Sequence, residues 1–302
     1  MTETVGFVGV GIMGKPMVMN LLGAGYEVVA HSRSAGSVDE VVAAGAKRGE
    51  SPAEVAGRVD VVITMLPDTP DVEAVLVSGP DPVVDGVRAG QLVIDMSSIS
   101  PGATRKLAAV FAAKAVGFLD APVSGGEKGA IEGALSIMVG GRQEDFARAM
   151  PIFEVLGKSI VLVGPSGAGQ VTKACNQLVV AANIEAVAEA LVLAAKAGVD
   201  PAKVREALLG GFAGSKILEV HGQRMLAGTF DPGFRIRLHR KDARIIEETA
   251  AELGVPTPAF ERVVEQLQRL VDSGGGELDH SALVTVLEED AGVQVRSAAG
   301  AD

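Results

Sequence analysis

Short apolar runs rich in β-branched residues alternate with helical patterns over the first half of the chain. The runs Val5–Val10, Glu27–His31, Val59–Met65, Leu92–Asp95, Gly117–Asp120, Leu135–Val139 and Ile160–Val163 have the length and composition of strands. Between them Met13–Ala24, Val38–Ala44, Ala103–Ala115 and Glu144–Leu156 space their apolar residues as helices burying one face do. Short β-rich runs alternating with helices are the pattern of βαβ units around a parallel sheet. Breakers fall between the runs. Ser51-Pro52, for example, reads as an N-cap followed by proline at the first helical position.

After Gly164-Pro165 the pattern changes. No strand-like run follows, and helical periodicity continues to the end. Gln170–Ala197 is the longest segment, about 28 residues and so about 42 Å long. Gly198 closes it, and Asp200-Pro201 opens the next helix. The pattern predicts two domains, 1–163 built on a parallel sheet and 164–302 all-helical around one long helix. The closing VQVRSAAGAD is small and polar enough to fray.

Composition narrows the picture. Within the long segment, Leu178–Ala197 is apolar for about the length of a membrane span, but Asn183, Glu185, Glu189 and Lys196 interrupt it. It reads as a buried helix of a soluble protein, with no membrane partner. Of the 302 residues 48% are hydrophobic and 22% charged, which suits a well-cored soluble chain. A net charge of -11 leaves no basic surplus for nucleic acid but leaves small metabolites open. Cys175 is the one cysteine, so no intrachain disulfide is possible, and the start MTETVGFVGVG lacks a basic leader region. Both point to the cytoplasm.

The candidate chemistry begins at Gly9-Val10-Gly11-Ile12-Met13-Gly14, a GxGxxG set between the first strand and the first helix. Gly9 permits the tight turn, Gly11 lets the amides of the loop through Ile12 and Met13 approach a pyrophosphate, and Gly14 lets helix pack on strand. The helix N-terminus adds partial positive charge. The first domain is therefore expected to be an α/β Rossmann-type dinucleotide-binding domain. The second strand ends in Ala30-His31-Ser32-Arg33-Ser34, with no carboxylate for a ribose 2′-hydroxyl. Ser32 and Arg33 suit a 2′-phosphate, so NADP(H) is expected over NAD(H), unless Arg33 is a solvated residue stacking on adenine. Two more turns sit at strand ends. Met65, Leu66 and Pro67 would press on the cofactor, and Ser97 and Ser98 would offer hydroxyls beside the nicotinamide ribose. Asp68 as a helix cap and the serines as turn formers are the plainer readings.

A second glycine turn, DAPVSGGEKGA, spans Asp120–Ala130. The first loop already accounts for phosphate. What remains here is Ser124 with the amides of Gly125 and Gly126, enough for one carboxylate. The long helix opens with Gly167-Ala168-Gly169-Gln170 and carries Lys173 and Asn176, whose i, i+3 spacing sets both on one face. The helix dipole disfavours a lysine near this end, which suits a proton donor, although spacing alone fits an ordinary surface lysine equally well. The histidines His31, His221, His239 and His280 lack the spacing typical of metal ligands, and no metal is expected. Cys175 is expected to be a packed thiol.

FVGVGIMGKPM, DAPVSGGEKGA and GAGQVTKACNQ, in this order, resemble the cofactor, substrate and catalytic signatures of the β-hydroxyacid dehydrogenase family, whose members are 3-hydroxyisobutyrate dehydrogenase-like. HRKDA, His239–Ala243, resembles a fourth element, with Ala243 where the family commonly has leucine. The resemblance covers nearly the whole chain. It implies an NAD(P)-dependent oxidoreductase with Lys173 as the catalytic acid/base and Asn176 orienting substrate or lysine. Ser124, Gly125 and Gly126 would bind the substrate carboxylate, and Lys241 with Asp242 would close the pocket near the nicotinamide. IDMSSISP, LSIMVGG, GFAGSKILEVHG, DPGFRIRLHRKD and LDHSALV resemble the branch that reduces tartronate semialdehyde. Sibling activities act on other short β-hydroxyacids, and members commonly assemble through the long helix, which implies a homo-oligomer, dimer or tetramer. A non-catalytic nucleotide-binding scaffold of this fold would be expected to lack the helix lysine, and Lys173 is present.

Overall fold

The computed structural model describes residues 3–296. The chain forms two compact units that divide after Lys173. The first is built on nine strands: β1 (Val5–Val8), β2 (Val28–His31), β3 (Lys47–Arg48), β4 (Val61–Thr64), β5 (Leu92–Asp95), β6 (Gly117–Asp120), β7 (Val123–Ser124), β8 (Leu135–Gly141) and β9 (Gly157–Gly164). Their order is β3-β2-β1-β4-β5-β6-β8-β7, with β9 against β8. The six strands from β3 to β6 are parallel. β8 runs antiparallel to β6 and β7 and parallel to β9. The chain moves outward from β1 to β3, then returns to place β4 on the other side of β1. That reversal opens a crevice at the C-terminal ends of β1 and β4.

Helices α1 (Gly14–Gly23), α2 (Ala35–Ala43), α3 (Pro52–Arg58), α4 (Thr69–Glu73), α5 (Val83–Gly86), α6 (Pro101–Ala112), α7 (Gly126–Ile131) and α8 (Gln143–Leu156) connect the strands. Alternate strand residues enter different cores. Val5, Phe7, Val61, Ile63, Leu92 and Ile94 pack in one with residues of α1 and α8. Val8, Val62 and Val93 pack in the other with residues of α3, α5 and α6. Both faces are covered, which is why the strands read as apolar without a polar alternation. The two-residue strands β3 and β7 are additions that the hydrophobic pattern does not mark. Ser51 caps α3 by accepting the Glu54 N–H, with Pro52 in the first turn.

The long helix α9 (Ala168–Lys196) crosses the division. Beyond it lie α10 (Pro201–Leu209), α11 (Lys216–Ala227), α12 (Ile236–Leu253), α13 (Pro258–Asp272) and α14 (Val284–Ala291). Asp200 caps α10 by accepting the Ala202 N–H, and Gly198 ends the preceding turn at a φ of +75°. Ala181, Ile184, Ala188 and Leu191 of α9 follow helical spacing and lie in the core of the second unit. By length and composition α9 is long and apolar enough to cross a membrane. Its apolar stripe is instead packed against the helices around it. The change of texture at 164 and the division after Lys173 differ because the start of α9 is fastened to the sheet. Asp120, at the end of β6, accepts the N–H groups of Gly167 and Gln170. The expected fraying also needs amendment. Val295 is buried and donates its N–H to Glu288 Oε1 at 2.8 Å, and residues 297–302 of the tail lie outside the described residues.

Candidate active site

Parallel strands bring their C-terminal loops to one edge of the sheet. Gly9 leaves β1 at a φ of +105°, and a Cβ there would lie 2.3 Å from the Met65 carbonyl oxygen. Only glycine lets the loops after β1 and β4 close in this way. A Cβ on Gly14 would lie 2.0 Å from the Gly9 carbonyl oxygen. Gly11 differs, because a Cβ there would meet nothing within 4 Å. Its missing side chain is not needed for internal packing, which fits a loop kept bare for close approach of a pyrophosphate. Ile12 beside it is 52% exposed, and Met13 stands at the N-cap of α1 without a capping oxygen. The first amides of α1 therefore suit an anion.

The walls of this crevice are tied to one another. The Leu66 N–H donates to Ser97 Oγ at 2.9 Å, while Asp95 Oδ1 accepts from the Thr64 hydroxyl at 2.8 Å and the Ser97 N–H at 3.2 Å. Ser97 is fully buried, so its hydroxyl braces the Met65–Pro67 turn, whereas Ser98 is half-buried. Asp68 accepts the Thr69 N–H at the start of α4. Burial pushes the Asp95 carboxyl up to about 6; hydrogen bonds from Ser97 and Thr64 oppose this, and the nearby Asp120 charge adds to it. At the end of β2, Ser32 is half-buried, and Arg33, with its side chain 81% exposed, pairs with Asp71 at 3.2 Å. Such an exposed pair is weak and leaves the guanidinium available to a stronger anion.

Asp120 was not singled out by motif reading, yet it organises the junction. Its Oδ1 accepts the Gly167 N–H at 2.7 Å and its Oδ2 the Gln170 N–H at 3.0 Å. Burial raises its carboxyl, and the amides of Gly167, Gln170 and Gly169 work against that rise. The Gln170 side chain accepts the Ile99 N–H at 3.1 Å and donates to the Ser97 carbonyl at 2.8 Å. Lys173, three residues further along α9, is buried at 9% exposure. Three residues after Asp120 the chain enters β7, where Ser124 pairs with Ser136 of β8. Gly125 and Gly126 then turn at φ values of +137° and +61°, conformations that favour glycine, and a Cβ on Gly126 would meet open space. The first unit thus holds Gly9–Gly14, Met65–Pro67, Ser97, Ser98, Ser124–Gly126 and Lys173.

The second unit joins Asn176, Lys241 and Asp242 through a residue that sequence patterns missed. Asn176 Nδ2 donates to Gln177 Oε1 at 2.8 Å, and Gln177 Nε2 donates to Asp242 Oδ2 at 2.6 Å. Lys241 Nζ lies 2.7 Å from Asp242 Oδ1. Asp242 is buried, so charge pairing and the Gln177 bond together keep its carboxylate satisfied.

Two expectations are corrected. Cys175 is exposed rather than packed, because α9 buries the face carrying Lys173, Gln177, Ala181 and Ile184. Three of the four histidines converge despite their spacing. His280 Nδ1 lies 3.2 Å from His239 Nδ1, and His280 Nε2 lies 3.2 Å from His221 Nε2, with Asp279 alongside. The donor set does not favour a cation. Asp279 is already engaged by Arg224, Gly233, Phe234 and Ser281, and the guanidinium stands 2.8 Å from its Oδ2.

Residues 4–164 match the family model of the NAD binding domain of 6-phosphogluconate dehydrogenase. Residues 167–287 match that of the NAD-binding domain of NADP-dependent 3-hydroxyisobutyrate dehydrogenase. With the glycine loop at the crevice, these define an NAD(P)-dependent oxidoreductase. The chain is 49% identical over 285 residues to 2-hydroxy-3-oxopropionate reductase of Escherichia coli, covering 94% of this chain and 97% of that enzyme. It is 37% identical to 3-hydroxyisobutyrate dehydrogenase of Pseudomonas aeruginosa, covering 92% and 96%. The solved structure of Mycobacterium tuberculosis 3-hydroxyisobutyrate dehydrogenase with L-serine superposes with a TM-score of 0.87 at 32% identity, covering 95% and 99%. The chain belongs to the 3-hydroxyisobutyrate dehydrogenase-like branch of the β-hydroxyacid dehydrogenases.

Proposed function

We propose that the protein reduces tartronate semialdehyde (2-hydroxy-3-oxopropionate) to D-glycerate, with Lys173 as the general acid. The observation that carries this reading is a buried lysine one turn into α9, held in the same unit as the Ser124–Gly126 turn. Gly9–Gly14, Met65–Pro67 and Ser98 would hold a nicotinamide dinucleotide, which when bound would supply the hydride for the aldehyde carbon. Ser124 and the amides of Gly125 and Gly126 hold the substrate carboxylate, which fixes the carbonyl for attack. Lys173 gives its proton to the oxygen as charge develops there, so the aldehyde leaves as an alcohol. As the family resemblance implies, Asn176 would orient substrate or lysine, and Lys241 with its ion-pair partner Asp242 would close the pocket near the nicotinamide. The 49% identity to the E. coli reductase supports this substrate over its siblings.

Arg33 and Ser32, with no carboxylate at the end of β2, favour NADP(H) over NAD(H). Self-association fits the outward face of α9, where Cys175, Val179, Ala186 and Leu193 are exposed. A single cysteine in 302 residues suits the reducing cytoplasm. Lys173→Ala is expected to lower turnover by about 100-fold or more while the cofactor still binds. Turnover within about tenfold of the native enzyme would remove the lysine from the role assigned to it.

A further inference from the structure

We propose that Asp120 is a positioning residue for the reaction: its buried carboxylate fastens the first turn of α9 to the end of β6 and so sets Lys173 in register with the Ser124–Gly126 turn. The inference rests on the reading of Lys173 as the proton donor.

The first amides of a helix need acceptors, and a neighbouring cap residue ordinarily supplies one. Here the acceptor comes from 47 residues earlier in the chain. Asp120 Oδ1 takes the Gly167 N–H and Oδ2 takes the Gln170 N–H, so one carboxylate holds α9 at two points. Two charge-assisted bonds from one rigid group fix direction as well as distance.

The surroundings are shaped for this contact. A Cβ on Gly140 of β8 would lie 2.6 and 2.8 Å from the two carboxylate oxygens. A Cβ on Gly169 of α9 would lie 2.8 Å from Asp120 Oδ2 and 2.4 Å from the Met138 carbonyl oxygen. Two glycines on different elements thus leave the space in which carboxylate and helix end meet. The same strands also set the substrate turn. β6 pairs with β8 at Asp120 and Gly140, and β7 pairs with β8 at Ser124 and Ser136. The Met138 N–H donates to the Pro122 carbonyl between them at 3.0 Å. Asp120, Ser124 and the start of α9 are therefore referenced to one strand.

Charge explains why a carboxylate serves better than a neutral acceptor. The N-terminal end of a helix is positive and disfavours the ammonium one turn in. An anion bonded to those same amides offsets that field at Lys173. Gln170 is a second clasp, joining the same turn to Ile99 and Ser97 beyond β5.

The test is a double-mutant cycle read in single-turnover reduction, with cofactor affinity and thermal melting measured alongside. Asp120→Asn should lower the rate about tenfold or more, with cofactor Kd changed by less than about twofold. In a Lys173→Ala background the same substitution should cost less than about threefold, because it acts through the lysine. Equal losses in both backgrounds would overturn the proposal while leaving the lysine assignment intact. Lys173→Ala turnover within about tenfold of native would overturn both. Should Asp120→Asn fail to fold, Gln170→Met carries the same cycle: a loss of about threefold that vanishes without Lys173 supports the coupling, and an equal loss in both backgrounds rejects it.

Discussion

Asp95 and Asp120 end adjacent strands and are register partners, yet their environments give them different tasks. Asp120 accepts the N–H groups of Gly167 and Gln170 at the helix end, which suits a carboxylate. Asp95 is fully buried, accepts from Thr64 and Ser97 through one oxygen, and is pushed up to about 6 from 3.8. A folded pKa above the unfolded one means that this group favours the fold below pH 3.8 and loses that advantage as pH rises through about 6. The penalty at neutral pH is on the order of 3 kcal/mol. Asp95→Asn keeps a carbonyl oxygen for both donors and removes the titration. Its melting temperature relative to the native protein should rise by several degrees between about pH 5 and pH 8. A difference that stays flat with pH would show that Asp95 does not titrate in this range.

At the scale of elements, what was legible in the sequence depends on how local the cause is. The strands with both faces buried show as apolar runs, and the caps at Ser51 and Asp200 show because cap and helix are neighbours. β3 and β7 are held by register with longer strands and leave no run of their own. The nucleotide half of the site was legible because one loop and one helix end carry it. Asp120, Gln170 and Gln177 were not, since their partners lie 47, 71 and 65 residues away. The imidazole chain is a further case, assembled from α11, α12 and the turn before α14. Burial first, then the neighbouring His239 and His221, holds His280 well below 6.5. Asp279 pulls it upward, while Arg224 adds to the lowering. A histidine kept neutral in the fold but free to protonate when unfolded withdraws stability as pH falls below 6.5, by up to about 1.4 kcal/mol per pH unit. His280→Gln keeps a donor and an acceptor without that charge change. The variant should therefore melt closer to the native protein, or above it, at about pH 5 than at pH 7.5. A gap that widens on acidification would contradict a neutral His280.

For the whole molecule, each of the two units holds its own set of candidate residues. The sheet's switch point carries the glycine loop, β6 ends in Asp120, which holds the start of α9, and β7 leads into the Ser124–Gly126 turn. The helical unit contains the Asn176–Gln177–Asp242–Lys241 chain. Lys173 lies at the last position before the division, on α9, which runs from the first unit into the second. Fold and family make the protein an NAD(P)-dependent oxidoreductase, and tartronate semialdehyde is the proposed substrate. A site that hydrogen-bonds the substrate's 2-hydroxyl would reject analogues lacking it. The most direct measurement is kcat/KM for tartronate semialdehyde, methylmalonate semialdehyde and succinic semialdehyde, each with NADPH and with NADH. Tartronate semialdehyde with NADPH should lead by about tenfold or more. A higher value for either other aldehyde would contradict the substrate assignment, and a higher value with NADH would contradict the cofactor preference.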